Sequence, residues 1–596
     1  MSEKIFILGS MPADAKSDLY IAAGEWCFAR QEKFFPSWET DFEIARCYSP
    51  ETDAEAFDEA RRAIGWGVQL LHEYTEDKNA IIKEPLPPDV WEFLAGTIFI
   101  SLGLNIAYAY NTVQLWVNDY KNLSLTVPLC SAYSFTDYRS LKRDIYEPDG
   151  MHWLFSEMLC HMAPSNWNLI PGKEPCTITP ADAKSSSSSL HGGGIWKETF
   201  VHLQKWIAVK RGRLDGENAL GLKGILKGIL SNLFSWLYPL QHTTTYSASF
   251  WQSVCIKTAL LANRNRKNDR ELLKEEFGVQ KGEYPDFCKQ IALKMIPAYI
   301  NTIEDGVYKK KSICKTFIVN SHEMHGKEYA SLLWGGARLV VLQHSPVYAI
   351  LPMNISDDAT ELMQHRFGAW GKCADISRSV RLPSFYYNRI ADSHTEKMST
   401  LYCVSRLHEF PCQMVASGFC SRVTVRESRN DLARFIGCLP SQLRVNTLLR
   451  PYIYPQRGFD SARWAQRLFP DIACHTEGGL ASLDMMKQCR VAAINYLGSA
   501  FGQALILNTP LVLFFRLGSY TLTPSGYEVL QSFQEAGIFH ETPEQAASFI
   551  ARIWDSVPDW WNSDVVQAAR KEYLRLDADA AGDDILWTWV KNALRV

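Results

Sequence analysis

Residues 491–515 read VAAINYLGSAFGQALILNTPLVLFF. The run VAAINYLG is apolar until Asn495, SAFGQALILN has helical character, and PLVLFF is a second short apolar run. Strands buried on both faces read as unbroken apolar runs of about four to eight residues. The stretch therefore predicts strand–helix–strand, the repeating unit of a parallel sheet. Gly498-Ser499 falls where the helix begins. Backbone N–H groups there lack intrahelical partners and suit a phosphate.

The pattern continues on both sides. TLYCVSRL (400–407) and NTLLRPYIYP (446–455) predict strands, Ser461 to Phe469 a helix, DIACHTE (471–477) a strand and ASLDMMKQC (481–489) a helix. An earlier block has the same texture: KIFILGS (4–10), DLYIAAGEWC (18–27), then KTFIVNSHEM (315–324) and RLVVLQHSP (338–346) after a long, mostly helical middle. The expected fold is α/β, with two Rossmann-like domains facing a cleft, a helical insertion in the N-terminal half and a C-terminal helical tail. The boundaries read as an N-terminal domain over 1–394 with its insertion at about 120–310, a C-terminal domain over 395–560, and helices over 561–596 that pack back across the hinge.

Composition narrows the function. The chain has 596 residues, with 62 Lys+Arg against 65 Asp+Glu and 19 Trp. Without a basic excess it is not a generic nucleic-acid binder, and its aromatic content excludes disorder. The 15 cysteines contain no CxxC pair and predict reduced, buried thiols. MSEKIFILGSMP lacks the long apolar region of a signal peptide, which predicts a cytoplasmic protein. Phe93–Asn118 carries no charge and is long enough to span a bilayer, but six interior Ser, Thr, Asn and Gln residues favour a helix buried in a soluble domain. The basic, Trp-bearing stretch 205–234 is a candidate for peripheral contact with the inner face of a membrane, with a solvated helix face as the alternative. ADAKSSSSSLHGGG (181–194) predicts a loop.

In open α/β sheets ligands bind beyond the C-terminal strand ends. In the second block these ends carry Ser405, Arg406, Arg450, Tyr452, Tyr454, His475, Thr476 and the segment Asn495 to Ser499. The arginines suit a phosphate or diphosphate, the tyrosines a stacked base, and Ser499 a phosphate seat or a plain helix cap. The first block offers Glu25, His322 and His344, any of which suits a general base toward a hydroxyl. Other motifs fail. HGGG (191–194) lacks a downstream GxSxG elbow, SHEMH (321–325) is one residue short of HExxH, and Asp577-x-Asp579 lies in an acidic, alanine-rich helical region. No metal site is expected.

GIFHETPEQAASFIARIWDSVPDWWNSDVVQAARKEYLR (537–575) resembles a bacterial family of transferases linked to surface-carbohydrate biosynthesis, which is similar to GT-B glycosyltransferases. GEWC (24–27), VWEFLAGTIF (90–99), SHEMHG (321–326), VLQH (341–344), GAWGKC and RLPS (within 368–384), LLRPYIYPQRGFDSARW (448–464) and NYLGSAFGQALILNTPLVLFF (495–515) extend the resemblance. It implies a metal-independent glycosyltransferase without a cofactor. Its partners would be a nucleotide-sugar donor and a glycan or small hydroxyl acceptor. Two departures stand out. Gln343-His344-Ser345-Pro346 replaces the family's Gln-His-Gly-Gly, and Gln503 replaces a carboxylate that would bind a ribose. They motivate an alternative, a non-catalytic nucleotide- or carbohydrate-binding relative in an assembly complex.

Overall fold

The computed structural model describes residues 4–131, 133, 148–172, 283–296, 300, 303–309, 316–320, 327–336, 338–343, 345–351, 366–371, 379–405, 421–451, 459–476 and 480–579. The serine-rich stretch 181–194, the basic stretch 205–234 and the HGGG and SHEMH motifs lie outside them.

The first sheet contains β1 (Lys4–Ile7), β2 (Tyr20–Ala22), β3 (Glu43–Ile44), β4 (Leu125–Pro128) and β5 (Asn168–Ile170), all parallel in the order β3-β2-β1-β4-β5. Two long helices, α1 (Asp53–Ile81) and α2 (Pro88–Tyr120), connect β3 to β4. The Thr52 side chain caps α1 by accepting from the Glu55 N–H. The uncharged run 93–118 lies inside α2. The most apolar 18-residue window of α2 is 94% buried in protein, so length and hydropathy reflect a core helix here. It packs on α1, α3 (Pro148–Met162), α4 (Asp286–Lys294) and α5 (Lys327–Trp334). Gly67 and Gly103 set its approach to α1: a Cβ on Gly67 would lie 2.3 Å from the Phe99 carbonyl oxygen, and one on Gly103 2.1 Å from that of Ala63.

A second parallel sheet runs β6 (Thr316–Asn320), β7 (Arg338–Leu342), β8 (Arg366–Ala369) and β9 (Ser379–Arg381) in sequence order. The sequence reading treats β6 and β7 as a continuation of the first sheet. Instead β4 and β5, from a region read as helical, take the places beside β1, and the later strands form a sheet of their own. That sheet still joins the N-terminal core, because Ala330 and Leu333 of α5 pack into it.

The third sheet contains β10 (Met398–Val404), β11 (Thr447–Arg450), β12 (Ala473–Cys474), β13 (Cys489–Ile494), β14 (Leu511–Phe514) and β15 (Phe539–His540). All are parallel, in the order β12-β11-β10-β13-β14-β15. Its helices are α6 (Val425–Cys438), α7 (Ser461–Leu468), α8 (Leu480–Gln488), α9 (Ser499–Leu507), α10 (Pro524–Glu535), α11 (Pro543–Ile553) and α12 (Asp564–Asp577). Strand alternation assigns the two faces. Leu401 and Cys403 pack with α6, α7 and α11, while Tyr402 and Val404 pack with α8, α9, α10 and α12. The α/β class, with parallel sheets in both halves, inserted helices and terminal helices, is as the sequence predicts. None of the described cysteines is in a disulfide.

Candidate active site

Strand order in the third sheet reverses between β10 and β13, which opens a crevice beyond their C-terminal ends. Val404 is in register with Arg450 on one side and Ile494 on the other, so Ser405, Pro451 and Asn495 form the next row. The Ser405 N–H donates to the Arg450 carbonyl at 3.0 Å. The side chains of Ser405 (3% exposed) and Asn495 (8%) are buried, and Ser405 Oγ and Asn495 Oδ1 have no hydrogen-bond partner. A buried polar atom left unpaired costs about 1–3 kcal/mol, so two of them side by side at a switch point make this the candidate site. Next to them, the buried Tyr402 hydroxyl contacts His475 Nδ1 at 2.9 Å and Ser482 Oγ at 3.0 Å. Burial pushes the Tyr402 phenol up to about 12, against the lowering effect of the Ser482 hydrogen bond and the Arg450 charge.

Beyond β13, Gly498 is the N-cap of α9 and Ser499 its first residue. Ser499 Oγ lies 3.0 Å from Ser345 Oγ, in the segment that follows β7. The neighbouring Pro346 presses on α9, since a Cβ on Gly502 would sit 2.5 Å from its Cγ. Gln503 Nε2 donates to the Tyr387 hydroxyl at 3.4 Å. The terminal helix α12 closes over this junction. Tyr573 donates its hydroxyl to the Pro346 carbonyl, Gln343 donates to the Asp577 carbonyl at 3.1 Å, and Asp577 Oδ1 accepts from the Ala349 N–H at 2.8 Å.

Glu25 follows β2 in a short 3-10 turn. Its carboxylate accepts from the N–H groups of Val425 (2.7 Å) and Arg426 (3.2 Å), at the N-terminus of α6. Burial pushes its carboxyl up to about 7, although both N–H groups pull it down. Asp53, at the start of α1, pairs with Arg422 and accepts from the Leu522 N–H (3.2 Å) and the Tyr527 hydroxyl (2.5 Å). These contacts join loops that follow β2 and β3 to loops that follow β10 and β14, so the C-terminal edges of the first and third sheets face each other.

Of the residues singled out from sequence, Ser405, Arg450 and Ser499 gather around the crevice, with Gln503 one turn further along α9. His322, His344, Arg406, Tyr452 and Tyr454 lie outside the described residues. Asn495 lies in a segment the sequence reading marks, but its unpaired oxygen is visible only in three dimensions. Ser345 drew notice only as a departure from a motif. Among the described residues, no three His, Cys, Asp or Glu side chains converge as a metal site would require.

The sequence profile of the LIC12162 family transferases matches residues 4–592. No curated protein matches the chain.

Proposed function

The chain belongs to the LIC12162 transferase family, and we propose that it is a GT-B-type glycosyltransferase, moving a sugar from a nucleotide donor to a hydroxyl acceptor in surface-polysaccharide or related glycan synthesis. The observation that carries this reading is the unpaired Ser405 Oγ and Asn495 Oδ1 at the switch point, beside the Ser345–Ser499 contact. Neutral hydroxyl and amide groups suit the hydroxyls of a ribose or sugar. The N-terminus of α9, with Arg450 and Arg406, suits the diphosphate. In the step itself the acceptor oxygen bonds to the anomeric carbon, the bond from that carbon to the phosphate oxygen breaks, and the acceptor proton passes to a base. His344 is the base we favour, because it directly precedes Ser345 in the chain. Glu25 is the alternative, and would first have to leave the α6 N-terminus. Charge developing on the leaving diphosphate would be met by the arginines and the helix N-terminus, with no metal needed.

A second reading, a non-catalytic nucleotide or carbohydrate binder, is favoured by Pro346, which replaces a glycine of the family motif and packs hard against Gly502. A thermal-shift panel of CMP, UDP, GDP, dTDP and ADP tests the site. A nucleotide at 100 times its dissociation constant adds about 2.7 kcal/mol. One selective response, lost in Arg450→Ala, supports a donor site, and turnover of the matching nucleotide-sugar separates enzyme from binder. No response to any nucleotide would overturn the nucleotide-sugar transferase reading and favour the non-catalytic carbohydrate binder.

A further inference from the structure

The segment that follows β7 precedes the third sheet in the chain, yet helices of the third sheet hold its backbone. Gln343 begins it, and its buried side-chain amide ties three pieces of chain together. Nε2 donates to the Ser345 carbonyl at 2.8 Å and to the Asp577 carbonyl at 3.1 Å, and Oε1 accepts from the Trp370 N–H at 2.8 Å. The last carbonyls of a helix lack partners within it, so Gln343 caps the end of α12 while it fixes Ser345. Further along, the Pro346 carbonyl accepts from the Tyr573 hydroxyl, and the Ala349 N–H donates to Asp577 Oδ1 at 2.8 Å. Thr523, the N-cap of α10, donates its hydroxyl to the Ala349 carbonyl at 2.5 Å and its N–H to the Ile350 carbonyl at 2.9 Å.

Packing leaves no slack around these bonds. A Cβ on Gly502 of α9 would lie 2.5 Å from Pro346 Cγ and 2.6 Å from the Tyr573 hydroxyl oxygen, and one on Gly371, after β8, 2.3 Å from the Leu576 carbonyl oxygen. Val347, Ala349, Ile350 and Leu351 share a core with Phe501, Leu530 and Tyr573. In a buried and closely packed network a shift of one member leaves a donor or acceptor unpaired, so the arrangement is held as a unit. What the unit presents is Ser345, whose hydroxyl meets that of Ser499 at 3.0 Å where α9 begins.

We propose that Ser345 is a built part of the ligand site at the N-terminus of α9, and that Tyr573 and Gln343 are the positioning residues that hold it there. The proposal rests on the reading of that terminus as the seat of the donor phosphate. A group that meets a ligand needs supporting residues whose own places are locked by packing and hydrogen bonds. Here a strand end of the second sheet completes a site of the third, and the terminal helix locks the two together.

Disulfide trapping reads the position without a ligand. In the full chain carrying Ser345→Cys and Ser499→Cys, thiols replace hydroxyls 3.0 Å apart and come within reach of a bond. Oxidation should link them, as peptide mapping reads. Adding Tyr573→Phe, which removes one hydroxyl and keeps the ring, should slow the link about fivefold or more. In the otherwise unaltered chain Tyr573→Phe should weaken, by a similar factor, the nucleotide that the thermal-shift panel selects. Closing the link in the triple variant should return its affinity to that of the linked parent. Gln343→Met carries the same expectations and keeps the test readable if Tyr573→Phe fails to fold. Thr447→Val removes a buried hydrogen bond to the Leu443 carbonyl at the opposite end of β11, and should leave both readouts within about twofold. A linking rate unchanged in both Tyr573→Phe and Gln343→Met overturns the proposal, and so does an affinity loss that the link does not restore. If no nucleotide binds the wild type, the donor reading falls, and the linking rate alone decides whether Tyr573 and Gln343 position Ser345.

Discussion

The hydroxyls of Ser345 and Ser499 meet at 3.0 Å, joining the segment after β7 to the first residue of α9. Two parallel sheets from different halves of the chain thus contribute to one spot. A neutral hydrogen bond of this kind contributes about 0.5–1.5 kcal/mol to stability, and Ser499 is exposed. Ser499→Ala should therefore lower unfolding free energy by about 1 kcal/mol or less. If the α9 N-terminus seats the diphosphate, the same variant should weaken nucleotide binding about tenfold. Urea denaturation and a nucleotide titration read the two effects separately, and unchanged binding would remove α9 from the donor site.

Ser405 and Asn495 lead to the opposite expectation for stability. Their buried oxygens are unpaired in the unliganded protein, so their removal deletes a desolvation cost rather than a bond. Ser405→Ala and Asn495→Leu should leave the urea midpoint unchanged or raise it, while nucleotide-induced stabilisation disappears. This combination is what groups kept for a ligand would show. A loss above about 1 kcal/mol in both variants would instead make them structural residues.

The third sheet was legible because its longer strands are unbroken apolar runs and its strand-end residues follow from position alone. Ser405, Arg450 and Ser499 came from that rule. β4 and β5 were not legible: LTVP and NLI are too short to stand out inside a region dominated by helical pattern. Nor does KTFIVN indicate which strand it will pair with, because register partners are a tertiary fact. The same limit hid the surroundings of Glu25. Its place after β2 was readable, but the helix N-terminus it caps lies 400 residues away in sequence. Asn495 was readable as a strand-end residue, whereas its missing partner depends on packing that no local pattern encodes.

Arg429 is the most deeply buried cation among the described residues of the interface between the halves, at 2% exposure. Glu39 accepts from it at 2.9 Å and Glu32 at 2.6 Å, and its guanidinium lies 5.3 and 5.0 Å from the rings of Phe459 and Trp464. Removing the acids while keeping the arginine leaves a buried charge uncompensated, at a cost of about 3–5 kcal/mol. Glu32→Gln combined with Glu39→Gln should show a loss of that size. Adding Arg429→Met should restore most of it, because the charge that needed a partner is gone. A triple variant as unstable as the double would show that stability here comes from the shape of the arginine rather than from charge pairing.

Asp577 gives stability a dependence on pH. It is fully buried, Oδ1 accepts from the Ala349 N–H, and the Tyr348 N–H also faces the carboxylate. Burial pushes its carboxyl from 3.8 up to about 7, despite the backbone N–H groups that lower it. Between these values the folded state holds a proton that the unfolded state has released, so this group makes stability fall as pH rises from about 4 to about 7. Above about 7 the folded protein carries the ionised carboxylate and the full penalty. Asp577→Asn removes the titration. Its stability relative to the wild type should therefore rise across that window and level off on either side. Unfolding free energies of both proteins at pH 4, 5.5, 7 and 8.5 would read this directly. A difference that stays constant with pH would mean that Asp577 holds the same charge in the folded and unfolded states, and that the Ala349 and Tyr348 N–H groups keep it ionised.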